Sequence, residues 1–571
     1  MRQLTALDAQ FLNVETTTTA AHVAGLAILD PADGAVTKDA LARLLLDRVH
    51  LSPALSLRLA EVPLGLDLPY WTEDPGFDLG NHLFELTLPA PGERRQLAEA
   101  VADLHARHLD RAHPLWEMHL ITGLADGTVA VYTKVHHAAI DGVSGAETLA
   151  ALLDLTPDGH LTRNTPHPAG QDPAPPEGRS ADPDLVGMLA GAALRTATHP
   201  ARAARSVLRA AEDLDAIPVV GGLPGAKLVA KAARLVAGER HRRPELPPLT
   251  APRTPLNGPI SAERRLSFGS LSLKDVKNVA KAHGLSVNDV VMTLCTSALR
   301  SWLRERAALP ESPLVVAVPV AVRRARAKEM AGNQISAMVA PMPTHLSDPQ
   351  ERLRAVGRAM AVAKRRFALA PATWLSELCS ILPAPVTSLA TPAIFRLAGM
   401  ACPPINLIIS NVPGPQFPLY LCGGRILSYY PLSVLTDLSG GLNITCFSYD
   451  GMLDFGVVAC PERMDDVWGL LGHLRAALDE LLDERVGDEF RDGVGVDLVA
   501  GELAEVLLVD EHGGERGRGH LQPGRVAAGA GQGQFEGESG APDQLAVEAS
   551  ESLLDRTVRV GLAEQDAPHR R

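Results

Sequence analysis

The amino-acid sequence predicts an α/β protein of two domains, and three observations carry that expectation. With 571 residues the chain exceeds what one hydrophobic core usually serves. Short β-branched runs alternate with stretches of helical period in both halves of the chain. Between the halves, residues 157–183 turn rich in Pro, Gly, Asp and Ser, the composition of a linker or surface loop. The boundaries that follow are a first domain over 1–156, a linker and helical segment over 157–250, a second domain over 251–486 and a tail over 487–571.

Each element has its own signal. Residues 4–12 read as a short helical patch leading to a strand over 22–29. Residues 37–50 are amphipathic, with Leu41, Leu44, Leu45 and Leu46 beside Lys38, Arg43 and Arg48. A strand and turn are expected over 69–83 and a helix over 94–109. Pro114-Leu115-Trp116, which alone reads as a proline turn with a core tryptophan, feeds a strand over 118–121. Residues 128–135 are β-branched and aromatic, as a buried strand is. After the linker, 185–209 is helical in composition and carries Arg195, Arg202, Arg205 and Arg209. Further on come strands over 266–272, 314–320, 332–339, 406–412 and 442–449. A hairpin turn is expected at Asp450-Gly451, and helices over 273–283, from 286 onward and over 467–482. In the second of these Ser286 is placed to cap, and Asn288 and Asp289 fall in the first turn.

The chemistry concentrates in Lys134-Val-His-His-Ala-Ala-Ile-Asp-Gly142, between the strand over 128–135 and a helix read as starting at Ser144 with Glu147 three residues on. Side chains alternate along a strand, so His136 and His137 point opposite ways. A histidine beside an acceptor alcohol can take its proton as the oxygen attacks an activated acyl group. Asp141 can fix the loop by pairing with an arginine, and Arg323 is one candidate for that partner. A metal site fits less well: the two histidines diverge and no third ligand stands at the right spacing.

Composition excludes several classes. A net charge of −13 argues against nucleic acid as the main partner. Six scattered cysteines without a CxxC read as reduced thiols in a cytoplasmic chain, and the first ten residues hold no apolar signal region. The longest uncharged apolar run, 378–395, is interrupted by Pro383, Pro385 and Pro392. Three prolines argue against a simple spanning helix and for a surface or re-entrant segment. Residues 185–238 carry a local charge of +4, which suits anionic lipid as well as it suits a solvated helix between domains. The tail has 15 glycines in 85 residues, too little apolar matter for a core, and is expected to be disordered.

The nine-residue stretch contains the HHxxxDG signature of acyl-CoA-dependent acyltransferases. With the opening Leu-Asp-Ala-Gln-Phe-Leu, Pro114-Leu-Trp116, Pro255-Leu-Asn-Gly258, Asn288-Asp289, Gly332-Asn-Gln-Ile-Ser336 and Ser410-Asn-Val-Pro-Gly-Pro415, the chain resembles the bacterial wax ester synthase/diacylglycerol acyltransferase family over about residues 4–482. That resemblance implies two chloramphenicol-acetyltransferase-like domains with mixed sheets and an interdomain channel. It implies His137 as general base, His136 and Asp141 completing the motif, and Gly142, Asn288, Asp289 and Trp116 on the substrate side. No metal and no bound cofactor are implied. Long-chain acyl-CoA is the co-substrate, and diacylglycerol or a long-chain alcohol the acceptor. Because both substrates are lipids, the expected location is cytoplasmic, peripherally attached to a membrane or lipid-droplet surface. Three rivals stand beside this reading. His136 and Asp141 also spell the HxxxxD of glycerophosphate acyltransferases, which should carry a Pro-Glu-Gly phosphate-site motif downstream. A serine acyl-enzyme would need a GxSxG elbow, which is missing. A non-catalytic lipid-binding relative is opposed by the intact motif.

If the tail is dispensable, a chain truncated after Arg485 melts at the same temperature as the full chain and transfers acyl groups at the same rate. Calorimetry and a transfer assay check this, and a substantial loss of either means that the tail docks.

Overall fold

A computed structural model of the chain describes residues 2–31, 34–140, 142–158, 185–212, 231, 249–321, 335–369, 379, 382–401 and 403–489. The first half opens with strand β1 (Arg2–Gln3) and helix α1 (Ala6–Asn13). Thr5 starts α1 with a reciprocal cap: its Oγ1 accepts the Asp8 N–H at 3.1 Å, and Asp8 Oδ2 accepts the Thr5 N–H at 3.0 Å. Then come β2 (His22–Leu29), α2 (Lys38–Arg48), α3 (Pro53–Ser56), β3 (Leu57–Ala60), β4 (Tyr70–Glu73) and β5 (Leu83–Thr87). Helix α4 (Arg94–Ala106), strands β6 (Trp116–Thr122) and β7 (Val129–His136), and helices α5 (Gly142–Leu152) and α6 (Leu185–Glu212) complete it. Helix α5 begins at Gly142, two residues before the start read from Ser144.

The second half runs β8 (Arg265–Ser272), α7 (Leu273–Ala282), α8 (Val287–Glu305), β9 (Leu314–Ala321), β10 (Ile335–Met342), α9 (Pro349–Leu369) and α10 (Ala384–Ala401). It ends with β11 (Leu407–Val412), β12 (Tyr420–Leu421), β13 (Gly424–Leu432), β14 (Leu442–Tyr449), β15 (Met452–Ala459) and α11 (Val467–Glu489). Helix α10 forms straight through the apolar run. Pro383 and Pro385 sit at its start, where proline's missing N–H costs nothing, and only Pro392 lies inside. No helix among the described residues is long and apolar enough to cross a membrane.

The strands make two mixed six-stranded sheets and a small third one, β1-β4-β3. The first large sheet is ordered β12-β13-β2-β7-β6-β5, the second β10-β9-β11-β14-β15-β8. β5 and β6 run parallel in the first, and β11 runs parallel to both its neighbours in the second. The first order departs from the chain's linear division: β12 and β13, inside the 251–486 span, pair into the sheet of the first half. β13 runs antiparallel to β2, Leu432 opposite Ala24 and Ile426 opposite Leu29. Composition could not reveal this, because a crossing strand keeps the hydrophobic pattern of any buried strand.

The crossing is closely built. Asp154 and Tyr420 exchange two backbone hydrogen bonds of 2.8 Å, and Arg48 Nη2 holds the Asp154 carboxylate at 2.7 Å in a buried ion pair. At Gly25 a Cβ would lie 1.9 Å from the Tyr429 hydroxyl, and at Gly456 1.8 Å from the Pro431 carbonyl, so β2 and β15 must carry glycine where β13 passes. Leu26, Ile28, Val101, Ile121 and Tyr132 then share one core with Phe268, Tyr430 and Val458. Both large sheets lie in one compact unit, Met1–Asp510. In the second half, α8 is buried on nearly every face, from Val290 to Leu303. At about 1.5–3 kcal/mol for each large apolar side chain buried, these cores dominate the stability.

Asp454 of β15 is buried at the crossing. Its Oδ1 accepts the Ser270 hydroxyl at 2.6 Å and its Oδ2 the Tyr429 N–H at 2.8 Å. Burial outweighs both bonds and pushes its pKa up to about 6. A carboxyl whose folded pKa is raised favours the native state below its ordinary pKa and loses that contribution as pH rises through the folded value. Asp454→Asn is therefore expected to gain melting temperature relative to the wild type as pH rises from 4 to 7, and to hold that gain above pH 7. The difference is on the order of 3 kcal/mol at most. A difference that stays flat across the series would refute the assignment.

Candidate active site

His136 is the last residue of β7 and stands opposite His22 in the β2 register. Its N–H donates to Leu115 O at 2.9 Å, and its own carbonyl accepts the Ala139 N–H at 2.9 Å, which closes the turn that follows. The side chain is buried. Nδ1 accepts the Ala138 N–H at 3.0 Å, which leaves the ring proton on Nε2 when the imidazole is neutral. Nε2 lies 3.3 Å from Glu15 Oε1, off the straight line of an ideal hydrogen bond but close enough for strong electrostatic attraction.

Glu15 gathers the surrounding chain. Its Oε1 also accepts the Ala21 N–H at 3.0 Å, while Oε2 pairs with Arg111 Nη2 at 2.7 Å. That guanidinium also donates to Leu12 O at 2.8 Å, at the end of α1. Burial pushes the Glu15 pKa up, but His136, the Ala21 N–H and Arg111 together hold it down at about 2. The carboxylate is charged at any working pH. Glu15 and Arg111 carry little signal in the sequence beyond an acidic residue in the threonine-rich run after the opening motif.

His137 begins the turn. Its N–H donates to Ala21 O at 2.8 Å, so both motif histidines are tied to the same loop. Its imidazole lies flat on Phe11 of α1, with ring centroids 3.9 Å apart and planes 2° from parallel. The stacking fixes the ring plane and leaves its edges, where the nitrogens are, to make polar contacts. The two histidines thus divide, one at the last position of the strand and the other in the turn that follows it. His136 turns into the protein toward a carboxylate, and His137 rests half-buried on an aromatic shelf.

The floor beneath them is polar and rigid. Lys134 is fully buried, its Nζ donating to Leu104 O at 3.2 Å and Arg107 O at 3.0 Å, at the C-terminal end of α4, where cations are favoured. It also lies 3.1 Å from Glu117. His22 Nε2 donates to His105 O at 2.8 Å, and His105 Nδ1 meets the Tyr132 hydroxyl at 2.9 Å. Burial, reinforced by nearby Lys134, pushes both imidazoles down, His22 well below its usual range and His105 to about 3. These rings stay neutral and hold shape.

The other expected residues lie as follows. Trp116 is buried; its Nε1 donates to Leu55 O at 2.9 Å and its ring stacks on His82 at 4.5 Å. It packs as a core tryptophan, while its neighbour Leu115 supplies the carbonyl that holds His136. Gly142 opens α5. Asp141 and Arg323 lie outside the described residues. Asn288 Oδ1 accepts from Asn411 Nδ2 at 3.3 Å, which links the first turn of α8 to the end of β11. Asp289 is the helix-starting carboxylate: Ser286 Oγ accepts its N–H at 3.2 Å, and its Oδ2 accepts the Ser286 N–H at 3.1 Å. Among the described residues no group of three or more His, Cys, Asp or Glu is placed to share a metal ion.

Comparison with known proteins shows the family to which the chain belongs. Residues 4–291 match the wax ester synthase/diacylglycerol acyltransferase catalytic domain, and residues 331–482 match the WS/DGAT C-terminal domain. A Mycobacterium tuberculosis protein named as a diacylglycerol O-acyltransferase is 36% identical over 487 residues, covering 85% of this chain and 90% of that protein. A second from the same organism is 35% identical over 481 residues and is covered over 99% of its length. The solved wax ester synthase/diacylglycerol acyltransferase of Marinobacter aquaeolei VT8 superposes with a TM-score of 0.58 at 28% identity, over 86% of this chain and all of that one. The glycerophosphate acyltransferase alternative loses its ground. The Pro-Glu-Gly expected of such enzymes does occur downstream, at Pro176-Glu177-Gly178, and it lies outside the described residues.

Glu15→Gln removes the charge that faces His136 and Arg111 while keeping the side chain's shape. A lowered folded pKa stabilises above the ordinary carboxylate value, so the wild type's advantage is full above pH 4.5 and shrinks as pH falls toward 2. The expected cost at neutral pH is roughly 2 kcal/mol, together with slower acyl transfer. Denaturant melts from pH 3 to 7 measure it, and equal stability at pH 7 would show that the carboxylate carries no weight.

Proposed function

We propose that this chain, which belongs to the wax ester synthase/diacylglycerol acyltransferase family, moves a long-chain acyl group from acyl-CoA to the free hydroxyl of diacylglycerol and so forms triacylglycerol. The observation that carries the reading is the intact His-His pair at the end of β7, with one histidine locked to a carboxylate and the other shelved on an aromatic ring, in a chain 36% identical to a named diacylglycerol O-acyltransferase.

His137 is the general base. It takes the hydroxyl proton as the acceptor oxygen attacks the thioester carbonyl, the carbon–sulfur bond breaks as the tetrahedral species collapses, and the imidazolium returns its proton to the departing CoA thiolate. Protons balance within one turnover. His136 touches no substrate in this scheme. It holds the turn, and with Glu15 it supplies a fixed negative field behind the imidazolium that forms. Asn288 and Asn411, joined across α8 and β11, are amides suited to orient a substrate oxygen from the second half. The two substrates enter a channel between the halves from opposite faces.

A long-chain alcohol in place of diacylglycerol would give a wax ester by the same steps, and the family's name covers both acceptors. The enzyme works at the cytoplasmic face of a membrane or lipid droplet without spanning it. The basic stretch beginning at 185 adds little support to that location. Arg195 is already engaged by Asp67 and donates to the Tyr70 hydroxyl at 2.6 Å, Lys231 is exposed, and the stretch's other charged side chains lie outside the described set. Support comes instead from the exposed aliphatic side chains of α10.

His137→Ala is expected to lower turnover by roughly 10²–10⁴-fold with the melting temperature unchanged, the usual contribution of a general base. Purified protein with labelled palmitoyl-CoA, offered diacylglycerol and hexadecanol in parallel, reads both the rate and the acceptor. Retention of most activity by the variant would sink the mechanism.

A further inference from the structure

Helix α10 is amphipathic the wrong way round. Its inner face is small and polar: Thr387, Thr391 and Gly399 are buried. Thr391 Oγ1 donates to Gln10 Oε1 of α1 at 2.9 Å, and Gly399 approaches the Asp437 carbonyl so closely that a Cβ there would lie 2.2 Å from it. The outer face carries Val386, Leu389, Ala393, Leu397 and Met400, three or four residues apart and therefore in one stripe. Leu389 is 82% exposed and Leu397 61%. An ordinary surface helix does the reverse, turning its leucines to the core and its threonines to water.

Charge commits this stripe to one occupant. Residues 378–401 contain no Asp or Glu, although the chain as a whole carries −13. The exposed cations bordering the stripe are Arg396 on the helix and Arg253, whose Nη2 donates to Met400 O at 3.0 Å at the helix's C-terminal end. Aliphatic side chains flanked by guanidiniums, with carboxylates excluded, match an anionic lipid surface. A second aliphatic projection has the same character. Leu64, 91% exposed, holds a left-handed backbone with φ of 58° at the tip of a turn, where an apolar residue gains nothing from water.

We propose that the outward face of α10 is the surface by which the protein docks on an anionic lipid layer. This rests on the acyltransferase reading only in that a lipid-dissolved acceptor gives such docking its use. The stripe lies one helix away from the chemistry: α10 seats on Gln10, and the next residue, Phe11, is the shelf under His137. A protein lying on lipid through α10 therefore holds the reacting imidazole close to the layer that carries the acceptor.

The test uses the full chain and flotation with phosphatidylglycerol and phosphatidylcholine vesicles across a salt series. The wild type is expected to prefer the anionic vesicles, with the preference fading as salt rises. Leu389→Ser and Leu397→Ser should each weaken partition roughly tenfold or more, the effect of losing one inserted leucine. Both should keep the wild-type melting temperature and the wild-type rate on a short, water-soluble alcohol, while losing rate on vesicle-dissolved diacylglycerol in step with partition. Arg396→Glu should abolish the preference for anionic over neutral vesicles. Unchanged partition in both leucine variants overturns the proposal. So does a wild-type dimer, seen by light scattering, that the leucine variants convert to monomers that still bind vesicles, since the stripe would then join two copies. A wild type that floats through Leu389 and Leu397 yet transfers no acyl group to either acceptor supports the docking surface and overturns the enzymatic reading.

Discussion

Much of this architecture depends on a single strand crossing. β13 leaves the second half, completes the sheet of the first beside β2, and still touches β15 through the Asp454 carboxylate and the bare backbone of Gly456. The crossing puts residues of both halves into one core, from Leu26 and Tyr132 to Phe268 and Val458. Close packing of this kind has few intermediate arrangements, because interiors sit near crystal density and do not deform smoothly. The two halves are thereby held in a fixed mutual placement. Gly25 and Gly456 are the local conditions for it, since any side chain at either would occupy space that β13 already fills.

The motif histidines illustrate how neighbouring residues of one type acquire opposite duties. Strand alternation sends His136 inward, where isolated burial would be costly for a group able to carry charge. Glu15 compensates, and being itself buried it needs Arg111 and the Ala21 N–H to remain an anion. The chain of partners runs from the exposed edge of Arg111 to the end of β7 without leaving a charge unanswered. His137 escapes the same arrangement because the strand has already ended. Its ring meets Phe11, a contact that fixes orientation while adding no charge of its own. Beneath both, His22 and His105 are kept neutral by burial, so the site's floor does not titrate near neutral pH.

The long elements were legible because their signals are local. The strands at 22–29 and 442–449 coincide with the observed β2 and β14, and Ser286 caps α8 in the reciprocal geometry that its spacing with Asp289 foretold. Asp450-Gly451 turns with two positive φ angles, 42° and 82°, as a tight hairpin demands. What stayed hidden was non-local. Nothing about residues 424–432 distinguishes a strand that joins its own sheet from one that joins another. Glu15 lies more than a hundred residues from the histidine it serves, and a lone glutamate carries no periodicity. The helix through Pro392 was obscured for a different reason. Proline's local cost, about 3 kcal/mol in a free helix, was overridden by packing against α1 and the loop at Asp437. Trp116 shows the opposite case, in which the plain structural reading of a proline turn with a core tryptophan describes what is found.

The crossing strand also sets the order of events at the ribosome. β2 is synthesised some 400 residues before β13, its antiparallel neighbour, so the edge it will later share waits unpaired while most of the chain is still being made. At ordinary elongation rates that interval is on the order of 20–80 s, far longer than a strand edge needs to find a wrong partner. The nascent first half thus emerges as an incomplete sheet with exposed backbone donors and acceptors and an apolar face lacking its cover, the kind of surface on which chaperones act and aggregation begins. A fold that joins its halves so firmly once finished is, for the same reason, most vulnerable just before β13 arrives.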